Sequence, residues 1–378
     1  MLRKMVEKNR ALAMAPAPGF FVPGLASGPW SLVPRLAGWA RVKYFRGEHE
    51  KIPVTANSLS AQAATVGMNI LLSGTQERLG VALLHHLFAC GHTLTCLQTR
   101  DDESGKTIWD IERLWQGRSE RPYDAIIHLG SENLFDRRWN QGKKQRIQEN
   151  CIEGTRLLVD FLWSQPAHLR PGTLISTSSV GYYGDTGERL LGVGNLAGIG
   201  FFPNVCKHWE HQTLRAADMG IRPLCLRVGM LLSPEDGLLP KFLPLFRLGL
   251  GGVFGSGKQY QSWISVRDFC RAVAFLLDKP AIRGPVNLVT PKPVTNREFA
   301  DTLASVFGKS ARAPVPASLL RLRFGEMADA LLLASQRVRP DRLLQAGFTF
   351  ADYDLASTVA WCAGGAKAAG ELPPPFLA

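Results

Sequence analysis

The chain lacks paired cysteines and any tract with metal-ligand spacing. Its seven cysteines are scattered singly and form no Cys-x-x-Cys pair. Disulfide scaffolds and structural zinc sites both need paired cysteines, so the pattern argues against these two classes and favours buried thiols in a reducing compartment. The nearest metal-like pattern is His208-Trp209-Glu210-His211, which lacks the i, i+4 spacing that places two histidines on one helical face. The sequence therefore predicts no metal ion.

The sequence also lacks an apolar run that would cross a membrane as a helix. Residues 11–34 carry no charge, but five prolines interrupt them and break any helix. The start, Met1–Arg10, is short and basic and has no continuous apolar segment after it, which is typical of an organelle-targeting segment rather than of a secretory signal. We predict a targeting and docking extension over residues 1–67 and a location on the matrix side of the mitochondrion, with the plastid as the alternative.

Acidic residues are the minority among the charged ones. The chain has 44 Lys and Arg against 32 Asp and Glu, a formal net charge of +12. This surplus favours acidic partners without choosing among nucleic acid, anionic lipid and protein. The basic clusters at 137–146 and 337–342 do not alternate with aromatic side chains on which bases would stack. We interpret them as solvated helix faces and expect at most a minor contact with RNA.

What the chain has is a strand that runs through a glycine turn into a helix, over Asn69–Gly80. In dinucleotide-binding turns the first glycine makes the turn, the second lets the backbone approach the pyrophosphate, and the third packs the helix on the strand. Gly74 and Gly80 occupy the first and third places. Glu77 stands in the second, where its side chain and its negative charge both oppose a bound pyrophosphate. The sequence therefore predicts that the turn keeps its backbone conformation but binds a pyrophosphate poorly.

Apolar strands alternate with helical stretches after this turn. This alternation predicts an α/β fold, a Rossmann-like doubly wound parallel sheet. Segments richer in Gly and Pro, at 232–257 and 314–336, predict a smaller C-terminal substrate lobe over the carboxyl ends of the strands. The predicted strands are 92–97, 124–129, 173–178 and 222–228, and the predicted helices are 143–163 and 202–217.

Several short motifs follow one another along the chain. They are Arg138-Trp139-Asn140, Val180–Gly184, Cys206 with Trp209-Glu210, Leu226–Gly229, Phe246–Gly252, Gly255–Ile264 and Asn296–Ala300. In this order they resemble the atypical extended short-chain dehydrogenases, the epimerase family that includes SulA-like cell-division inhibitor proteins. The resemblance runs from residue 69 to about residue 360. It implies a short-chain dehydrogenase-like domain over residues 68–362, with its lobe from about residue 232. Residues 363–378 are rich in Ala, Gly and Pro, and this composition predicts a flexible tail, with a second partner-bound segment as the alternative.

The resemblance implies catalysis by a Ser or Thr, a Tyr, and a Lys four residues after the Tyr. Here the Tyr and Lys positions hold Phe202 and Cys206. Phenylalanine has no proton to give, and a thiol does not replace an ammonium. The serine position is kept by Ser178, or by the serine after it, with capping of the next turn as the alternative role. Tyr182 and Tyr183 lie close by in the sequence and would supply a substitute acid, unless they only pack.

A dinucleotide would lie along the glycine turn. Arg100 follows the second strand and favours the 2′-phosphate of NADP(H) over the ribose hydroxyls of NAD, although Asp101 beside it weakens the point. Arg78 either pairs with Glu77 and turns it aside, or replaces a pyrophosphate contact with an internal salt bridge. The expected cofactor-binding residues are Gly74, Thr75, Arg78, Leu79, Gly80, Arg100, Leu129 and Gly130.

The loop Gly255–Gln259 contains a Gly-Lys pair but lacks the spacing of a phosphate-binding Walker loop. We interpret it as a hairpin of the lobe that shapes the substrate cleft. Lys258, Gln259 and Trp263 would then face a ligand, with a place in the core as the alternative for Trp263.

These residues are compatible with two functions. The first is a degenerate short-chain dehydrogenase-like protein without turnover, which serves as an accessory subunit of a mitochondrial assembly such as a respiratory complex or ribosome and docks through residues 1–67. The substituted positions 77, 202 and 206 motivate it. The alternative is an NADP(H)-dependent oxidoreductase or epimerase with non-standard catalytic groups, motivated by Arg100 and Ser178. We predict the first, with NADP(H) as the dinucleotide if one binds.

Overall fold

The computed structural model describes residues 42–43, 67–75, 77–97, 99–101, 107–109, 122–130, 132–135, 138–311 and 314–364, with side chains for all but 42–43, 99–101 and 107–109. Most of the predicted extension and all residues after Gly364 therefore lie outside the described residues. The last described helix runs to Gly364, past the predicted domain end at residue 362.

The strands form a main sheet and four small pairs within the described residues. In chain order they are β1 (Val42–Lys43), β2 (Asn69–Ser73), β3 (Thr93–Leu97), β4 (Thr99–Asp101), β5 (Thr107–Trp109), β6 (Ala125–His128), β7 (Thr173–Ser179), β8 (Leu190–Leu191), β9 (Arg222–Val228), β10 (Met230–Leu232), β11 (Tyr260–Gln261), β12 (Trp263–Ser265), β13 (Gly284–Leu288), β14 (Val294–Thr295) and β15 (Arg337–Val338).

The main sheet is parallel and doubly wound, as predicted. Its order is β1-β3-β2-β6-β7-β9-β13 in the described part of the chain. The chain moves outwards from β2 in one direction and continues from β6 in the other, so the order switches between these two strands. Ligands of doubly wound sheets bind at the carboxyl ends of the strands beside such a switch point. The glycine turn follows β2 and lies at this place.

Helices cover both faces of the sheet. They are α1 (Arg78–Ala89), α2 (Gln141–Gln148), α3 (Gly154–Ser164), α4 (Phe201–Leu214), α5 (Leu239–Arg247), α6 (Val266–Leu277), α7 (Asn296–Ser305), α8 (Ala317–Phe324), α9 (Asp341–Gln345) and α10 (Leu355–Gly364). A π-helical turn, Glu149–Glu153, separates α2 from α3 within the stretch predicted as one helix. Leu83 and Leu87 of α1 pack with Phe269 and Val273 of α6 in the largest apolar core.

A second apolar core forms the predicted C-terminal lobe. Leu239 and Phe246 of α5 pack there with Trp263 of β12, Phe299 of α7 and Val359 of α10. Strand β10 pairs with β12 in parallel and connects this lobe to the main sheet, because β10 directly follows β9. The lobe is thus larger than the two Gly- and Pro-rich segments from which it was predicted.

Strand β9 begins with a buried arginine that binds the end of a helix. The Arg222 guanidinium donates to the carbonyl oxygen of Leu276 at 3.1 Å and to that of Lys279 at 2.7 Å. Its Nε also donates to the Thr173 hydroxyl at 3.1 Å. These carbonyl groups lie at and just after the C-terminal end of α6, where the helix itself offers them no donors. Arg222 therefore joins β7, β9 and α6.

Two predictions about the lobe and the basic clusters need correction. The loop Gly255–Gln259 is not a hairpin, because β11, which follows it, pairs with β14, whereas Phe254 before it bridges to Val315. The first basic cluster is not a uniformly solvated face. Lys143 is fully buried and donates to Glu132 at 2.7 Å.

Candidate functional site

The turn between β2 and α1 has the close packing that the sequence predicts. Gly74 has a φ of +81°, and a Cβ atom there would lie 2.8 Å from the Leu129 carbonyl oxygen. A Cβ atom on Gly80 would lie 2.2 Å from the Gly74 carbonyl oxygen. Neither position has room for a side chain, and the positive φ adds strain at the first. The turn keeps the helix–strand approach of a dinucleotide-binding turn, with Leu129 packed against it.

Glu77 is the N-cap of α1, but its side chain makes no capping hydrogen bond. The residue is exposed as a whole, yet neighbouring groups partly desolvate its carboxyl and thereby raise its pKa. The carboxylates of Asp236 and Glu132 raise this pKa further, and the Lys143 ammonium opposes the rise. Two further acidic groups therefore lie near Glu77, where the second glycine of the turn would meet a pyrophosphate.

Arg78 forms its ion pair with Glu235, in the loop between β10 and α5. In the same contact, the backbone amide of Leu79 donates to the Asp236 carboxylate at 3.2 Å. Of the two alternatives for Arg78, the structure shows the internal salt bridge. Glu235 and Asp236 each lie 157 positions after their partners in the sequence, so the sequence around the turn does not predict these contacts.

The other predicted cofactor residues lie around the ends of β3 and β6. Thr75 hydrogen-bonds the buried thiol of Cys96, whose pKa burial raises to about 11. A Cβ atom on Gly130 would lie 2.4 Å from the His128 imidazole, so that glycine is required by packing. Arg100 belongs to β4, and its side chain is outside the described part of the structure.

A serine–histidine pair at the switch point was not predicted. The Ser73 hydroxyl and Nδ1 of His128 are 2.8 Å apart, and both residues are buried. They lie opposite each other in the register of β2 and β6. The available signal is a single polar residue at the end of the otherwise apolar β6. Burial lowers the pKa of His128 to about 4, so the imidazole is neutral at physiological pH.

This histidine should make the protein less stable in mild acid. The unfolded chain binds a proton on His128 below about pH 6.5, whereas the folded chain binds it only below about pH 4. The free energy of unfolding should therefore fall as the pH is lowered between these values, by up to about 3 kcal/mol from this residue. Urea unfolding at several pH values measures the fall. In His128→Asn the fall should be smaller by this amount, and parallel curves for the two proteins would contradict the assignment.

The predicted catalytic serine is held in a buried ionic network. The Ser178 hydroxyl donates to the Glu210 carboxylate at 2.8 Å. Arg227 binds the same carboxylate through two nitrogens, each at 2.8 Å. Capping of the following turn falls to Ser179, whose hydroxyl accepts from the Gly181 amide at 3.0 Å. Ser178 thus neither caps the turn nor presents a free hydroxyl.

The Tyr and Lys positions lie beside this serine and are filled by apolar packing. Phe202 is buried, with its ring centroid 5.5 Å from that of Trp139. A Cβ atom on Gly181 would lie 2.4 Å from the Phe202 ring, which shows how closely the ring packs on the turn after β7. Cys206 is fully buried, and burial raises the pKa of its thiol. The fold brings the positions of the catalytic groups together, but the Tyr and Lys positions hold side chains that cannot transfer a proton as tyrosine and lysine do.

Neither tyrosine of the adjacent turn offers a simple substitute. Tyr183 is buried, and its hydroxyl contacts the Asn287 side chain at 2.7 Å and the Arg227 guanidinium at 2.9 Å. Burial raises the pKa of Tyr183, with Arg227 opposing the rise. Tyr182 is half-buried, and the same guanidinium lies 3.5 Å from its ring centroid. Both rings pack around Arg227, which favours the packing alternative.

The predicted cleft residues separate into two groups. Lys258 is exposed. Trp263 is fully buried and donates to the Lys292 carbonyl oxygen at 3.2 Å, so the alternative of a core position applies. Gln259 is also buried, and its amide donates to two backbone carbonyls, at 3.0 Å and 3.2 Å. The prediction that Gln259 faces a ligand is therefore corrected, because its polar atoms serve the lobe.

The described residues contain no group of three or more His, Cys, Asp or Glu side chains that would hold a metal ion. In the metal-like pattern, His208 contacts the Asn204 carbonyl oxygen through Nδ1 at 2.8 Å. Within the described residues, every helix is too short or too polar to span a bilayer.

Comparison with known proteins gives a consistent set of matches. Residues 70–288 match the NAD dependent epimerase/dehydratase family, and residues 315–362 match a domain of unknown function, DUF1731. An epimerase family protein of Mycobacterium bovis is 37% identical over 287 residues, which cover 74% of this chain and 93% of that protein. The chloroplastic SDR39U1 homolog of Arabidopsis thaliana, also an epimerase family protein, is 29% identical. That match covers 75% of this chain and 83% of the plant protein.

A solved structure extends the likeness to the fold. The human epimerase family protein SDR39U1 (isoform 2), crystallised with NADPH, is 28% identical and has a TM-score of 0.69. The match covers 79% of this chain and 99% of the human one. The family match at residues 70–288 spans the main sheet from β2 to β13, and therefore includes the glycine turn and the buried ionic network.

Proposed function

Because the chain belongs to the NAD dependent epimerase/dehydratase family, we propose that it is an NADP(H)-binding protein of the short-chain dehydrogenase fold that has lost standard turnover. The observation that carries the proposal is the contrast at the switch point. The glycine turn keeps its close backbone packing, whereas the Tyr and Lys positions of the same site hold buried Phe202 and Cys206.

Binding is supported by the cradle around the turn. Gly74 and Gly80 carry no side chains of their own, so the N-terminus of α1 approaches the end of β2 closely. The first turn of α1 follows the carboxyl end of β2 and has amides without partners inside the helix. Such amides bind phosphate at a helix N-terminus. The human relative of this fold was crystallised with NADPH. Gly74, Leu79 and Gly80 are the residues that would hold the pyrophosphate.

Loss of turnover is supported by the groups around the serine. NADP(H), when bound, supplies a hydride, and a short-chain dehydrogenase adds a tyrosine that exchanges a proton with the substrate. Phe202 has no such proton. The Ser178 hydroxyl donates to Glu210, and the hydroxyl of Tyr183 is enclosed by Arg227 and Asn287. The alternative of an oxidoreductase or epimerase with non-standard groups would need one of these hydroxyls to leave its partner.

The organelle role stays a prediction and forms the second part of the proposal. Residues 1–67 carry nine Lys or Arg against three Glu, and the plant relative is named as chloroplastic. We place the protein in the mitochondrial matrix, with the plastid as the alternative, as an accessory subunit that docks through residues 1–67. Sedimentation of the native protein with and without these residues tests the docking, and a small monodisperse species in both cases would contradict it.

The binding proposal is tested by titrating the full chain with NADPH. We expect one site per chain with a dissociation constant of roughly 10–100 µM, because the turn is intact but its surroundings are acidic. No NADPH oxidation should occur above the rate without protein. Gly80→Ala should weaken binding at least about tenfold, since the new Cβ atom would push α1 away from the turn.

The matched control is Gly142→Ala, another helical glycine, where a Cβ atom would meet only the Asn140 side chain at 3.7 Å. It should leave NADPH affinity unchanged. If the folded full chain shows no NADPH binding at millimolar concentration, the cofactor part of the proposal is wrong. Protein-dependent oxidation of NADPH would instead favour the enzyme alternative.

A further inference from the structure

The loop Ser233–Gly237, here called the acidic strap, connects β10 to α5 and has a defined conformation. The Ser233 hydroxyl accepts from the amides of Glu235 and Asp236, each at 3.3 Å. Gly237 has a φ of +78° and donates its amide to the Asp236 carboxylate at 2.6 Å. A bridge between Leu232 and Gly237 closes the loop at its base. The strap therefore presents its two carboxylates as a unit.

Both carboxylates of the strap point to the start of α1. Asp236 accepts the Leu79 amide at 3.2 Å, and Glu235 pairs with Arg78. Amides of the first turn carry the positive end of the helix dipole and bind anions. In a dinucleotide-binding turn the pyrophosphate uses this end of the helix. A carboxylate of the chain itself now occupies one of these donors.

The charges around the strap oppose a second anion there. Asp236 lies close enough to Glu77 to raise the pKa of that carboxyl, and Glu132 adds to the effect. The Lys143 ammonium is already engaged with Glu132 at 2.7 Å. A pyrophosphate added at the Leu79 amide would thus compete with the Asp236 carboxylate and be repelled by Glu77 and Glu132, so the strap has to move before the phosphates can bind.

Moving the strap should be inexpensive. The side chains of Arg78 and Glu235 are 65% and 48% exposed, and ion pairs this exposed contribute little to stability. The strap belongs to the lobe, through β10 and α5, whereas α1 belongs to the Rossmann half. The contact therefore crosses from one half of the site to the other.

We propose that the acidic strap is an autoinhibitory element, whose Asp236 and Glu235 occupy the phosphate-binding end of α1 and have to be displaced by the pyrophosphate of NADP(H). This inference rests on the proposed function, since it names the element that controls access to the same site. It gives the site a closed state that the chain itself maintains and an open state that the dinucleotide selects.

The test compares NADPH binding by the full wild-type chain and by Glu235→Gln/Asp236→Asn. The side-chain carbonyl oxygen introduced at position 236 would still accept from the Leu79 amide, so the substitution removes charge while it keeps the strap's shape. We expect NADPH to bind the variant about tenfold more tightly, in the range of ordinary coupling between two sites. In the wild type, hydrogen exchange of a peptide that covers residues 232–239 should become faster when NADPH is added.

The control is Asp329→Asn/Asp341→Asn, which removes two carboxylates that also pair with arginines, Arg321 and Arg339, but lie outside the strap. It should leave NADPH affinity within about twofold of the wild type, because these two solvent-accessible ion pairs include no residue of the turn or the strap. Equal affinity of the wild type and the strap variant would overturn the inference and leave the proposed function standing. Absence of binding to both would overturn both. Slower exchange of the strap with NADPH would also contradict displacement.

Discussion

Replacing Arg227 by Met is expected to destabilise the protein by about 3–5 kcal/mol, the cost of leaving one partner of a buried ion pair without the other. Arg227 is 2% exposed and Glu210 is 4% exposed. Two hydrogen bonds of 2.8 Å join them. Without the guanidinium, the Glu210 carboxylate would keep the hydrogen bond from the Ser178 hydroxyl but lose both of its charged donors.

Replacing the partner residue should lower the free energy of unfolding by a similar amount, and the double variant should regain most of the lost stability. Glu210→Leu alone would leave the guanidinium buried and should cost a similar amount, whereas Arg227→Met/Glu210→Leu should recover more than half of it, because no charge is then left unpaired. Urea unfolding followed by tryptophan fluorescence measures all four proteins. Additive losses in the double variant, or a loss below about 1 kcal/mol for Arg227→Met, would show that the pair is not coupled as the geometry requires.

The second large effect concerns an attempt to rebuild the catalytic groups. Cys206→Lys should destabilise the protein by at least about 3 kcal/mol, because it places a charged amine in a fully buried site where the neighbouring Glu210 carboxylate is already paired with Arg227. Phe202→Tyr should cost less, about 1–3 kcal/mol, for a buried hydroxyl without a partner. The combined variant should show no NADPH oxidation, since its tyrosine and lysine would not reach a substrate through the packed turn at Gly181.

Cys90→Lys is the matched control for this experiment, since Cys90 is exposed at the end of α1. The same chemical change should there alter the free energy of unfolding by no more than about 0.5 kcal/mol. Denaturant unfolding and an NADPH absorbance assay provide the two readouts. Wild-type stability of Cys206→Lys would contradict the closed packing around this position, and turnover by the combined variant would contradict the inference that the packed turn keeps a substrate out.

Local sequence was sufficient for most of the main sheet and for the glycine turn. Strand β9 was predicted over its full length, because a short apolar run between helical stretches is a distinctive pattern. Gly74 and Gly80 were predicted because a tight turn and a close helix approach both need a missing side chain. Strand β13 was not predicted, since Gly284–Leu288 carries Pro285 and Asn287 among only a few apolar residues.

The chemistry of the site depended on contacts that the sequence does not display. Asp236 reaches Leu79 across 157 residues, and a carboxylate in a Pro- and Gly-containing loop is an ordinary surface pattern until the fold places it. Lys143 is similar, because in the sequence it stands among solvated bases, and only the fold buries it against Glu132. Helical periodicity predicts faces, but it does not predict which distant charge will meet them.

The two arginines of β9 fix the alignment of the sheet. Arg222 and Arg227 are five residues apart, so they project from opposite faces of the strand. One is bound at the end of α6 and the other by Glu210 of α4. A slip of β9 by a single residue would turn both guanidinium groups away from their acceptors at once. The position of the carboxyl end of β9, at the site, therefore depends partly on the amino end of the strand, where Arg222 is bound outside the site.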